Sequence, residues 1–207
     1  MKKRIAILLT ALLLLLTVTA SAQTVRSIPS EEFIRLVAGK TLPARISGYG
    51  SSGEGEDMLL FLSVTICERE RFAPELVESL KAGDTLLLGL AERIPVLEVT
   101  TDEYGVNVKG DSLSYSSTKG EDGTYTLVDE YDFEAWKPSF TVDVLLEKDI
   151  VFSDAGDPDA AEPVMLGFSE LTERLWEGVM FEPYNTKMTF DGNGKLTRLD
   201  YTYAPWN

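Results

Sequence analysis

From Ile94 to Leu146 apolar and polar side chains alternate with a period of two. Only an extended backbone, which turns successive side chains to opposite faces, can bury one set and wet the other. Leu97 and Val99 oppose Glu98 and Thr100; Val106 and Val108 alternate with Asn107 and Lys109. Leu113 and Tyr115 alternate with serines at 112, 114 and 116, and Phe140, Val142, Val144 and Leu146 with Thr141, Asp143 and Glu147. Turn residues at Asp102–Gly105, Gly110-Asp111 and Lys119–Gly123 separate the runs. A two-residue turn at Gly110-Asp111 sets Val108 against Leu113 and Val106 against Tyr115. A five-residue loop at 118–122 sets Tyr115 against Tyr125 and Leu113 against Leu127. Both loops yield one continuous apolar face, so an antiparallel meander is expected over 94–147.

Around this meander the chain offers short helices and further strands. Ser30 is an N-cap, Glu31 and Glu32 suit a helix start, Phe33, Ile34 and Val37 form a stripe, and Gly39 is the stop. A helix is therefore expected over 31–38. A strand follows at Thr41–Ser47, then a glycine-rich acidic loop at Gly48–Asp57, then the apolar run Met58–Cys67, which suits a central strand. Pro74 opens a second helix near 74–82, Thr85–Leu90 reads as a strand, and a third helix is expected at 170–177, capped by Ser169, with Leu171, Leu175 and Trp176 inward. The last hairpin turns at Asp191–Gly194, and a change of phase in its return strand calls for a β-bulge near Thr197-Arg198. The fold class expected is α+β and β-dominated: an antiparallel meander sheet, barrel-like or strongly curved, with about three short helices.

Residues 1–22 have the form of a secretory signal peptide. Lys2, Lys3 and Arg4 precede a leucine-rich run to Val18, and Ala20-Ser21-Ala22 offers small residues for cleavage near Ala22. An uncleaved anchor is the alternative. No cysteine stands at the junction, so a lipoprotein is not expected. The expected mature chain, 23–207, is one globular domain or two subdomains meeting near 118–123, secreted or held outside the cytoplasmic membrane. The full chain carries a net charge of −15, from 19 Lys+Arg and 34 Asp+Glu, and loss of the leader would remove three more cations. Such a surface repels nucleic acid and anionic membrane surfaces and keeps the protein dispersed, which points to a monomer.

The residue inventory narrows the chemistry. The chain has no histidine and one cysteine, Cys67. This removes Ser-His-Asp and Cys-His catalysis, histidine metal sites and any intramolecular disulfide. Carboxylate chemistry and hard-oxygen cations remain. Asp154, Asp157 and Asp159 lie on a glycine- and proline-containing loop with Glu162 close behind, a weak Ca²⁺ candidate set competing with a solvated acidic loop. Tyr131, Phe133 and Trp136 stand among Asp129, Glu130, Asp132 and Glu134. Aromatics beside carboxylates can hold a saccharide, so Tyr131 and Trp136 are candidate ligand contacts, while packing at a sheet edge is the competing use. Asp191–Gly194 lacks the later acids of a calcium loop and is read as a turn. No paired acids stand out. The expected function is a secreted, non-catalytic binding or interaction domain of unknown ligand, with a calcium- or saccharide-binding protein and a carboxylate-dependent glycan hydrolase as alternatives.

Overall fold

The computed structural model describes residues 26–27, 30–53, 59–89 and 92–203, and the expected leader lies outside them. Strands dominate: β1 (Arg26–Ser27), β2 (Thr41–Ser52), β3 (Leu59–Arg69), β4 (Thr85–Leu88), β5 (Glu92–Pro95), β6 (Glu98–Thr101), β7 (Val106–Lys109), β8 (Ser114–Lys119), β9 (Tyr125–Asp129), β10 (Trp136–Leu146), β11 (Val151–Ala155), β12 (Val164–Leu166), β13 (Thr186–Phe190) and β14 (Leu196–Thr202). Among the described residues three short helices accompany them: α1 (Ser30–Val37), α2 (Pro74–Glu78) and α3 (Phe168–Trp176).

The larger sheet has eight strands in the order β1-β10-β3-β2-β13-β14-β11-β12. Its pairs are antiparallel except β1–β10 and β11–β14. The run that read as a central strand is central: β3 lies between β10 and β2, with Leu60, Leu62, Val64 and Ile66 buried. α1 covers this sheet through Phe33 and Val37, one helical turn apart, and Phe33 meets Phe140 and Phe190 edge-on at 6.3 and 5.5 Å. Gly39 ends α1 at φ 68° and donates its N–H to Asp191 O, tying the helix stop to the turn between β13 and β14. α3 contributes Leu171 and Leu175 to the same core.

A second core is built wholly from the segment between β3 and β10. Phe72, Val77, Leu86, Ile94, Val106, Tyr125 and Leu127 are among its members, and among the described residues none comes from outside 72–135. The segment holds α2, the two-stranded sheet β4–β5 and the four-stranded meander β6-β7-β8-β9. It leaves and rejoins the larger sheet at neighbouring points, because Arg69 at the end of β3 pairs with Trp136 at the start of β10.

None of these sheets closes into a barrel. The meander is also shorter than expected: β10 leaves it for the larger sheet, because its apolar face meets β3 rather than β9. Two registers differ from the expected ones by even steps. Val108 faces Tyr115 rather than Leu113, and Ser117 faces Leu127, with Tyr115 opposite Asp129. The turns lie one and two residues further along the chain than expected, Gly110 N–H bonding Leu113 O and Gly120 N–H bonding Thr124 O. An even slip leaves every side chain on its face, so the apolar surface survives the error in turn position. The loop expected from Gly48 is strand as far as Ser52, because β3 continues to pair with it past a bulge between Ile46 and Gly48. The bulge expected near Thr197 is present. Trp176, expected inward, is 63 % exposed, since α3 turns Leu171, Thr172 and Leu175 to the core. β8 and β9, on either side of 118–123, belong to one sheet, so the two cores do not part there.

Candidate binding cleft

Between the two cores lies a cavity of about 400 Å³. The larger sheet supplies Arg45 from β2, Thr65 and Cys67 from β3, Trp136 and Pro138 from β10, and the loop Glu182-Pro183-Tyr184. The inserted segment supplies Leu88, Gly89 and Glu92 from the β4–β5 hairpin, Leu113 and Tyr115 from the meander, and Asp129, Phe133, Glu134 and Ala135 from the stretch leading into β10.

That last stretch is shaped by one carboxylate. Asp129 Oδ1 accepts the N–H groups of Tyr131 and Phe133 at 2.9 and 3.0 Å, while Asp129 N–H donates to Phe133 O. An aspartate that captures amides two and four residues on folds its own backbone into a turn. The turn places Asp132 at φ 66°, in the left-handed region, and delivers Phe133 and Glu134 to the cavity wall. Phe133 then packs on Tyr184 from the opposite wall, ring centroids 4.5 Å apart.

The charges fall into two groups. Arg45 Nε donates to Glu182 Oε2 at 2.6 Å, and Arg69 Nε lies 2.6 Å from Glu134 Oε2. The Arg69 guanidinium also stands 6.0 Å from the centre of the Trp136 ring. These two carboxylates are compensated. Glu92 and Asp129 have no cationic partner among the described residues. The Tyr115 phenol reports their field: burial first, then the charges of Glu92, Asp129, Asp111 and Glu130, push its pKa up to about 12. Burial and the nearby Glu182 likewise raise Tyr184.

One polar group in the wall lacks a partner among the described residues: Trp136 Nε1 is buried without a hydrogen bond. Buried donors are ordinarily satisfied, because each one left dry costs about 1–3 kcal/mol. Cys67 contributes a thiol that burial pushes up to about 11, opposed by Arg45 and reinforced by Glu182. It stays protonated at neutral pH and is a poor nucleophile.

The structure thus treats the expected contact residues differently. Trp136 lines the cavity, whereas Tyr131 is 44 % exposed on the turn and not part of the lining. The three aspartates are not gathered. Asp154 is buried on β11, with Oδ2 held by Arg174 Nε and Nη2 at 3.2 and 2.9 Å and Oδ1 accepting Gly156 N–H at 2.8 Å. Asp157 Oδ1 accepts Asp159 N–H on an exposed turn. Among the described residues no three His, Cys, Asp or Glu side chains converge as metal ligands. Sequence reasoning missed Arg45, Glu92, Glu182 and Tyr184, which carry no local signal, and read Tyr115 only as a core residue. No described helix is long and apolar enough to cross a membrane. No protein-family model, no curated protein and no solved structure matches this chain.

Proposed function

We propose that this chain is a non-catalytic binding domain whose ligand seats in the cleft between its two cores, and that it works outside the cytoplasmic membrane after loss of the leader. The observation that carries the reading is the cavity itself. About 400 Å³ is within the usual size range of small-ligand pockets, roughly 300–1,000 Å³. Its wall combines Tyr115, Phe133, Trp136 and Tyr184 with an orphaned indole N–H and two uncompensated carboxylates. The absence of histidine, a protonated buried thiol and two carboxylates locked to arginines favour binding over catalysis. A neutral saccharide is the second reading, favoured by the four aromatic rings beside hydroxyl-accepting carboxylates. Calcium at 154–159 has less support, because Asp154 is already committed to Arg174.

The reading is tested by a thermal-shift panel of neutral oligosaccharides, acidic peptides, basic peptides and Ca²⁺, run on the natural chain and on Leu113→Trp, which fills the cleft. Circular dichroism verifies that the variant folds. A ligand at 100 times its Kd adds about 2.7 kcal/mol to stability, so a seated ligand raises the natural chain's midpoint and leaves the variant's unmoved. A panel in which nothing stabilises, or in which both proteins gain equally, overturns the proposal.

A further inference from the structure

Resting on the cleft as the binding site, we propose that its ligand is a basic peptide segment: a lysine or arginine side chain enters among the aromatic rings, and the peptide presents a carbonyl to Trp136. The cation answers two carboxylates that have no positive partner among the described residues, and the carbonyl answers Trp136 Nε1. Glu92 and Asp129 line the cavity from the inserted segment without a cationic partner among the described residues, while Arg45 in the opposite wall is paired with Glu182, and Glu134 is paired with Arg69. A positive head group would complete that end of the cavity.

The rest of the lining suits what such a side chain carries behind its charge. Phe133, Trp136 and Tyr184 offer π-faces and apolar edges to a methylene stem, and a cation over such rings gains further attraction. Trp136 Nε1 is a donor only, so it requires an acceptor, which a simple alkylamine lacks and a peptide carbonyl provides. The net charge of −15 would steer a cationic partner toward the protein and repel an acidic one. A neutral sugar would satisfy Trp136 but leave Glu92 and Asp129 without a counter-charge. These charges decide between the two.

The experiment uses end-capped pentalysine, pentaarginine and pentaglutamine, followed by tryptophan emission and by anisotropy of labelled peptides at physiological salt, which screens long-range attraction beyond about 8 Å. Binding of either basic peptide and not of pentaglutamine is expected, and the lysine and arginine arms identify the preferred head group. Glu92→Gln with Asp129→Asn, which keeps the acceptor oxygen of the turn, should weaken binding about tenfold or more. Glu98→Gln with Glu103→Gln removes the same charge elsewhere and should change it less than about twofold. Trp136→Phe should weaken binding about threefold or more. Equal losses in the two double variants, or no binding by either basic peptide, overturn the proposal. Two outcomes separate this proposal from the cleft itself. A saccharide that stabilises the natural chain but not Leu113→Trp leaves the cleft standing and removes the cationic ligand. Peptide binding undiminished in Leu113→Trp removes both.

Discussion

Glu70 joins the two cores with one side chain and one amide. Its N–H donates to Ala135 O at 2.8 Å, and its Oε2 accepts Gly89 N–H at 2.7 Å. Burial raises its pKa, against the lowering effects of that hydrogen bond and of Lys137. A carboxyl whose pKa is higher folded than unfolded favours the folded state while protonated. Its contribution is complete below the unfolded value and is lost as pH rises through the folded one. Glu70→Gln is neutral throughout and keeps an acceptor for Gly89. It should therefore raise the denaturant midpoint at pH 7, and the gain should vanish as the pH is brought below the ordinary carboxylate range. A constant gain across that range would sink the assignment. Cys67 gives a second check. With its thiol near 11, against about 8.5 for an unperturbed cysteine, alkylation by iodoacetamide at pH 8 should be on the order of 100-fold slower than for a free thiol. Mass spectrometry of timed aliquots reads this directly. At this scale the sequence showed which residue types could bind, and it singled out Trp136 because acids and aromatics crowd around it. It could not show that Arg45, Glu92 and Tyr184, between about 40 and 90 positions away in the chain, close the same cavity. That is decided by the strand order.

Single polar links between elements should be the places where substitutions cost most. α3 is fastened to β11 by Arg174, which is about half exposed while its partner Asp154 is 7 % exposed. Arg174→Met leaves that carboxylate buried without its cation. Loss of one partner of a buried pair costs about 3–5 kcal/mol, and the half-exposed arginine argues for the lower part of that range. Asp154→Asn added to Arg174→Met should recover part of the loss, as a double-mutant cycle in urea would show. The turn after β9 offers a backbone test. Asp132→Val forces a β-branched residue to φ 66° and should destabilise by about 1–2 kcal/mol, whereas Asp132→Gly should cost nothing or stabilise. Elements were the most legible level of this chain. Alternation located the strands of the meander, and its faces came out correctly even though its turns sit one and two residues further along than expected. Pairing partners were not legible, since β9 and β10 alternate alike, and only the apolar run of β3 decides which of them joins the larger sheet.

At the scale of the whole molecule, the second core is a contiguous insertion whose two ends lie side by side. Among the described residues the larger core takes none from 72–135. Replacing residues 70–135 by an Asn-Gly turn joins Arg69 to Trp136, which already face each other as a cross-strand pair. The shortened chain should unfold in one cooperative transition with its larger sheet intact and should bind none of the ligands that seat in the cleft. A molten shortened chain, without the near-ultraviolet signal of fixed aromatics, would show that the larger core needs the insertion. The same connectivity decides how tension would travel. A pull applied at Arg26 and Tyr203 loads β1 and the last residues beside β14, both in the larger sheet, and reaches the insertion only after β10 and β3 separate. The insertion hangs off the load path as a side loop. A protein tethered at its ends and stretched would keep its second core folded and its cleft mouth unstrained until the supporting sheet itself began to unzip.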